Sequence, residues 1–240
     1  MSAKFGKALA AAIAATWVLE ELPAKASEYR IVAEGAAALI KMYDPMVSRV
    51  TTELGVGAGV KTPCGETTNG EIEAYYCGNR SVSLIVVSDN ALNHIGKNYG
   101  KEAVAAVVAH EFGHARQHLV SGFTSDKIWT EVVDELQADC VAGVYMRRAT
   151  PIPLSEQQVN RAASFMKAIG DYAVSERNWH GTPEMRSASF RFGYKSGSLD
   201  TCLASESMNW GKMGERIETE IKKAPETIDS MIKWGQDILK

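Results

Sequence analysis

The stretch His110-Glu111-Phe112-Gly113-His114 constrains this chain more than any other part of it. It lies in a run, residues 100–120, where Val104, Val107, Val108, Glu111 and Phe112 recur at the three- and four-residue spacing of a helix. Ala103, Ala105, Ala106 and Ala109 favour helix, and no proline interrupts. On a helix, positions i and i+4 share a face, so both imidazoles can point at one metal ion. Glu111 then stands beside the pair, able to hold and deprotonate a water. Gly113 is costly in a helix interior, and is expected where another backbone or a ligand comes close. The plain alternative is a pair of ordinary helix histidines. Against it, three of the chain's five His crowd this one segment.

His118 is the tempting third ligand, but geometry disfavours it. Eight residues of helix rise about 12 Å, whereas zinc ligands lie about 2 Å from the ion. His118 is therefore expected at the surface, or as a partner to a ligand. The better candidate lies on a second expected helix, residues 126–148. There Ile128, Val132, Leu136, Cys140 and Val144 form an apolar stripe, and Glu135 and Asp139 share a face beside it. Glu131 and Asp134 lie close by, so a solvated acidic edge is the alternative. A catalytic zinc site of two His and one carboxylate needs a donor placed like Glu135. Asp139 would accept a hydrogen bond from the far nitrogen of a ligand His and so fix its tautomer. The expectation is one Zn²⁺ per chain, held by His110, His114 and Glu135, with Glu111 as general base in peptide-bond hydrolysis. A peptide or protein is the implied partner.

At this point the chain resembles the bacterial neutral zinc metallopeptidases. The likeness runs through Cys64-Gly65, Tyr76-Cys77, HEFGH, ELQADCVAGVY (135–145), AIGD (168–171), HGTPEMR (180–186) and FGYKSG with Cys202. It spans roughly residues 61–202. The resemblance implies a zincin-like peptidase with His110 and His114 as ligands, Glu111 catalytic and Glu135 the third ligand. Family members often carry a second His directly after the motif, where Ala115 stands here, and a longer membrane-anchoring N-terminus. These departures touch membrane attachment more than chemistry.

His180 lies in the helix-breaking run Trp179-His180-Gly181-Thr182-Pro183. It could donate a hydrogen bond to a developing oxyanion, or simply be a loop residue capping the next helix. The family-like block around it favours a place near the site, and His180 is carried forward as a second catalytic candidate. Arg186 could serve the oxyanion too, or bind a substrate carboxylate.

Between the N-terminal third and the metal motif, residues 71–77 and 81–87 read as strands, with Gly78-Asn79-Arg80 as their turn. Such a hairpin could offer an edge to an extended peptide, or just cap the helices. Residues 28–52 and 156–175 read as amphipathic helices, and 215–239 as a helical tail broken near Pro225. The fold class expected is α+β and mainly helical, with an active-site helix, a second ligand-bearing helix and a small sheet.

A chain of 240 residues, 45% of them hydrophobic, suits one domain, here residues 27–240. With 26 basic and 29 acidic residues and a net charge of −3, nothing points to nucleic acid. Residues 1–26 resemble a signal peptide: Lys4 and Lys7, an apolar stretch over 8–19, then Ala24-Lys25-Ala26. That stretch is shorter than the roughly 20 residues a membrane span needs, and an alanine-rich helix retained in the protein is the alternative. Export is the expectation, and cytoplasmic residence the alternative. Four Cys allow three pairings. Cys64–Cys77 and Cys140–Cys202 are the pairing expected, with four reduced thiols as the alternative. Two other functions stay open: a catalytically silent zinc protein that binds a partner, and a metal-dependent amidase of cell-wall material.

Overall fold

The computed structural model describes residues 28–63, 65–79, 81–121, 131–172 and 179–203. The signal-peptide segment, residues 122–130 with Ile128, and the 215–239 tail lie outside these residues.

In chain order the elements are α1 (Glu28–Tyr43), a 3-10 turn (Pro45–Val47), β1 (Thr51–Val56), β2 (Ala74–Gly78) and β3 (Ser83–Ser88). Then follow α2 (Asp89–Tyr99), α3 (Lys101–Ser121), α4 (Glu131–Arg148), α5 (Glu156–Ala168), α6 (Pro183–Ser196) and α7 (Leu199–Leu203). The fold is mainly helical with one small sheet, the α+β class expected.

The single helix expected over 28–52 is corrected. It stops at Tyr43, because Pro45 cannot continue it and Asp44 instead caps the 3-10 turn, accepting a hydrogen bond from the Met46 amide. Thr51 and Thr52 then enter a strand, as β-branched residues favour. β1 pairs parallel with β3 while β2 pairs antiparallel with it, so the order in this three-stranded sheet is β1-β3-β2. The expected hairpin is present as β2 and β3. Its turn is held by Asn79, whose side-chain oxygen accepts from the Ser81 and Val82 amides. β3, central, carries the buried run Leu84, Ile85, Val86 and Val87, and β2 is left as an edge.

α3 is more deeply set than an amphipathic surface helix. Ala103, Val104, Ala106, Val107, Val108, Ala109, Phe112 and Ala115 are all buried, and α1, α2, α4, α5 and the strands β2 and β3 surround it. α4 lies alongside, and Gly113 allows the close approach: a Cβ there would stand 2.8 Å from both Cα and O of Ala138. On its other side α4 meets α6 as closely, where a Cβ on Gly193 would run into the Cys140 backbone. Val132, Leu136, Cys140 and Val144, the stripe read from sequence, are buried along α4.

Cys140 and Cys202 form a disulfide across 62 residues of chain, tying α7 to α4. Cys77 is also disulfide-bonded; its expected partner, Cys64, lies outside the described residues. Among the described residues no helix is long and apolar enough to cross a membrane.

Candidate metal centre and active-site cleft

The neighbouring helices α3 and α4 bring three donor atoms into a triangle. Nε2 of His110 and Nε2 of His114 are 3.0 Å apart. Glu135 straddles them, with Oε2 3.3 Å from His110 Nε2 and Oε1 3.3 Å from His114 Nε2. Ligand atoms about 2 Å from a tetrahedral ion stand about 3.3 Å from one another, so the spacing fits zinc. The donor types fit as well. Among the described residues, these three form the group of His, Cys, Asp and Glu side chains able to hold a metal ion.

His110 is held from behind by Asp139, whose Oδ1 lies 2.9 Å from Nδ1. This is a close ion-pair contact rather than a well-aligned hydrogen bond. Burial works against charge on this ring, but Asp139 and Glu135 prevail and raise its pKa to about 10. A metal ion entering the triangle competes with protonation of this ring. Burial likewise opposes ionisation of Glu135, yet His110 and His114 hold its carboxyl well below the usual range. His114 turns its other nitrogen, Nδ1, to Oε1 of Gln117 at 3.0 Å.

Arg186 was a candidate for substrate binding. It lines the cleft, but it is 2% exposed and bound to the site's own carboxylates. Nε donates to Asp139 Oδ2 at 2.7 Å and Nη2 to Oδ1 at 2.9 Å. Nη1 pairs with Glu135 Oε2 at 2.9 Å. A buried guanidinium so engaged has little left to offer a substrate carboxylate. The fork compensates two acidic groups that would otherwise be buried side by side.

The triangle opens on a cleft of about 880 Å³, lined by residues that include Tyr75, Tyr76, Glu111, His118, Phe165 and His180. Glu111 is buried at its wall. Burial pushes its carboxyl up, while His110 and His114 pull it down. His180 reaches the same cleft from the loop before α6. That helix is capped by Thr182, which accepts from the Met185 amide, with Pro183 in its first turn. The helix-capping alternative for His180 therefore does not apply. His118 is half-buried rather than at the open surface, its ring edge-on to Tyr76 at 5.6 Å, and it takes no part in the donor triangle. Sequence reading missed Gln117 and Gln137. Their one signal was position: Gln117 one helical turn past His114, and Gln137 between Glu135 and Asp139.

A His–His–carboxylate triangle at the wall of a cleft in an α+β fold has the donor set of a divalent metal centre with room for a ligand beside it. The family described as "putative neutral zinc metallopeptidase" matches residues 56–204, and the chain belongs to it. It is 28% identical over 206 residues to an uncharacterised protein of Mycobacterium tuberculosis, covering 72% of this chain and 69% of the relative. An uncharacterised Mycobacterium bovis protein matches to the same extent. No solved structure matches.

Proposed function

We propose that this protein is a zinc peptidase in which His110, His114 and Glu135 hold one Zn²⁺ and Glu111 is the general base. The observation that carries the reading is the donor triangle on the wall of a cleft that Glu111 shares. Zinc bound there supplies a Lewis acid for the scissile carbonyl and lowers the pKa of a water to about 7. Glu111 takes the proton that water gives up as its oxygen bonds to the carbonyl carbon. It then delivers that proton to the amide nitrogen as the C–N bond breaks. His180 donates a hydrogen bond to the carbonyl oxygen as charge gathers there. No Ser or Cys nucleophile is needed.

The substrate is an extended peptide. β2 is an edge strand among the described residues, and its Ala74, Tyr75 and Tyr76 line the cleft, so its outer edge suits strand addition by a peptide laid across the site. The Cys140–Cys202 disulfide suits an exported protein.

Among the described residues three donors stand at an open cleft, which suits catalysis better than a structural staple, because structural zinc sites are closed by four protein ligands. The test is zinc content by elemental mass spectrometry, followed by a peptide-library digest beside Glu111→Gln. About one zinc per chain is expected, with cleavage by the wild type and none by the variant, which keeps its metal. A protein that takes up no zinc, or a variant that cleaves equally well, overturns the reading. Cleavage of cell-wall amides but no peptide moves the substrate class to that of an amidase.

A further inference from the structure

Behind His114 lies a chain of amide hydrogen bonds whose direction is set at its far end. The carbonyl oxygen of Cys202 accepts from Nε2 of Gln137 at 3.0 Å. A carbonyl can only accept, so the amide nitrogen of Gln137 must face it and Oε1 must face the other way. That Oε1 accepts from Nε2 of Gln117 at 2.9 Å, and the same nitrogen donates to the backbone oxygen of Asp134 at 2.7 Å. Both amide hydrogens of Gln117 are thereby engaged. Its Oε1 is left toward Nδ1 of His114, 3.0 Å away, and an amide oxygen cannot donate.

We propose that Gln117, backed by Gln137, is a positioning residue that locks His114 in its Nδ1–H tautomer, with the Nε2 lone pair turned into the donor triangle. Asp134 and Gln137 both belong to α4, the helix that carries Glu135, and Cys202 is fastened to the same helix by its disulfide to Cys140. The element that supplies the carboxylate ligand thus also sets the direction of a histidine on α3. The two histidines are oriented by different chemistry. His110 has the carboxylate of Asp139 behind it, whereas His114 has a neutral amide, which orients the ring without adding negative charge to a centre that already holds Glu135 and Asp139.

The meaning of the relay for function rests on the zinc reading above, but the tautomer belongs to the metal-free protein and is measured without zinc. The experiment is ¹⁵N NMR of the His114 ring in mildly alkaline solution, with zinc affinity measured by chelator competition, on wild type, Gln117→Met and Gln117→Asn. The wild type is expected to be protonated at Nδ1. In Gln117→Met, which has no amide, and Gln117→Asn, too short to reach all its partners, the population shifts toward Nε2–H. Zinc binding then weakens by about 10- to 100-fold. An Nε2–H signal in the wild type overturns the proposal with no variant needed, as does a folded variant with tautomer and affinity unchanged. A wild type protonated at Nδ1 that binds no zinc leaves the relay standing and removes the zinc reading instead.

Discussion

Arg186 and Asp139, 47 residues apart in sequence, meet in a buried fork of two hydrogen bonds, 2.7 and 2.9 Å long. The same guanidinium reaches Glu135, so one cation holds both the carboxylate expected to bind metal and the carboxylate behind His110.

Truncating Arg186 leaves two buried carboxylates short of their counter-charge. Arg186→Met is expected to cost roughly 3–5 kcal/mol, the usual penalty for removing one partner from a buried pair. Arg186→Lys keeps the charge but not the fork and falls between. Urea unfolding of the metal-free protein measures both, and a Met variant as stable as the wild type contradicts the clamp.

Glu135→Ala removes a corner of the donor triangle, whereas His118→Ala removes a ring that meets Tyr76 edge-on. The first is expected to weaken zinc binding by more than about 100-fold, beyond the usual loss for an outer partner. The second should leave zinc binding nearly unchanged. Dialysis against a graded chelator series separates them. If the His118 variant is the one that loses metal, the third ligand is wrongly assigned.

Gly113→Ala sets two effects against each other. Alanine is the better helix former by about 1 kcal/mol, but its Cβ would press on the Ala138 backbone at 2.8 Å. Overpacking costs about 1–3 kcal/mol and should win, since the obstacle is backbone. The variant is expected to melt lower and bind zinc less tightly, because α4 carries Glu135. A higher melting temperature would show that the helices part without cost.

Acid sensitivity has a source outside the cleft. Arg161 binds Glu102 through two hydrogen bonds of 2.9 Å each. This interaction, helped by Gln158 and opposed by burial, lowers the Glu102 pKa from 4.5 to about 2. A depressed carboxyl stabilises the fold above its unfolded pKa, and the benefit drains away as pH falls from 4.5 toward 2. Glu102→Gln should flatten that part of the stability profile. Arg161 is partly exposed, so salt should weaken the effect in the wild type. An unchanged acid limb in the variant would assign the pH dependence to other groups.

How far sequence reached can be seen residue by residue. The helix bearing His110 and His114, the stripe along α4 and the strands on either side of Asn79 were legible, because each is a periodicity or a turn signal written into neighbouring residues. Glu135 and Asp139 were readable as a pair for the same reason: four residues apart on a helix is a local fact. β1 was not, because Thr51 and Thr52 were absorbed into a run read as helical. That strand forms by pairing with β3 across some thirty residues of chain. Gln117 and Gln137 look in sequence like ordinary polar residues on helices, and Arg186 like a group for an oxyanion or a substrate carboxylate. Only the packing of α3 and α6 against α4 brings Gln117 to the Asp134 carbonyl and to Gln137, and Arg186 to two carboxylates. Sequence by itself determined which residues share a helix face, since that depends on the spacing of near neighbours. Tertiary structure alone decided which faces meet, since burial and distant partners set the charge and direction of a polar side chain.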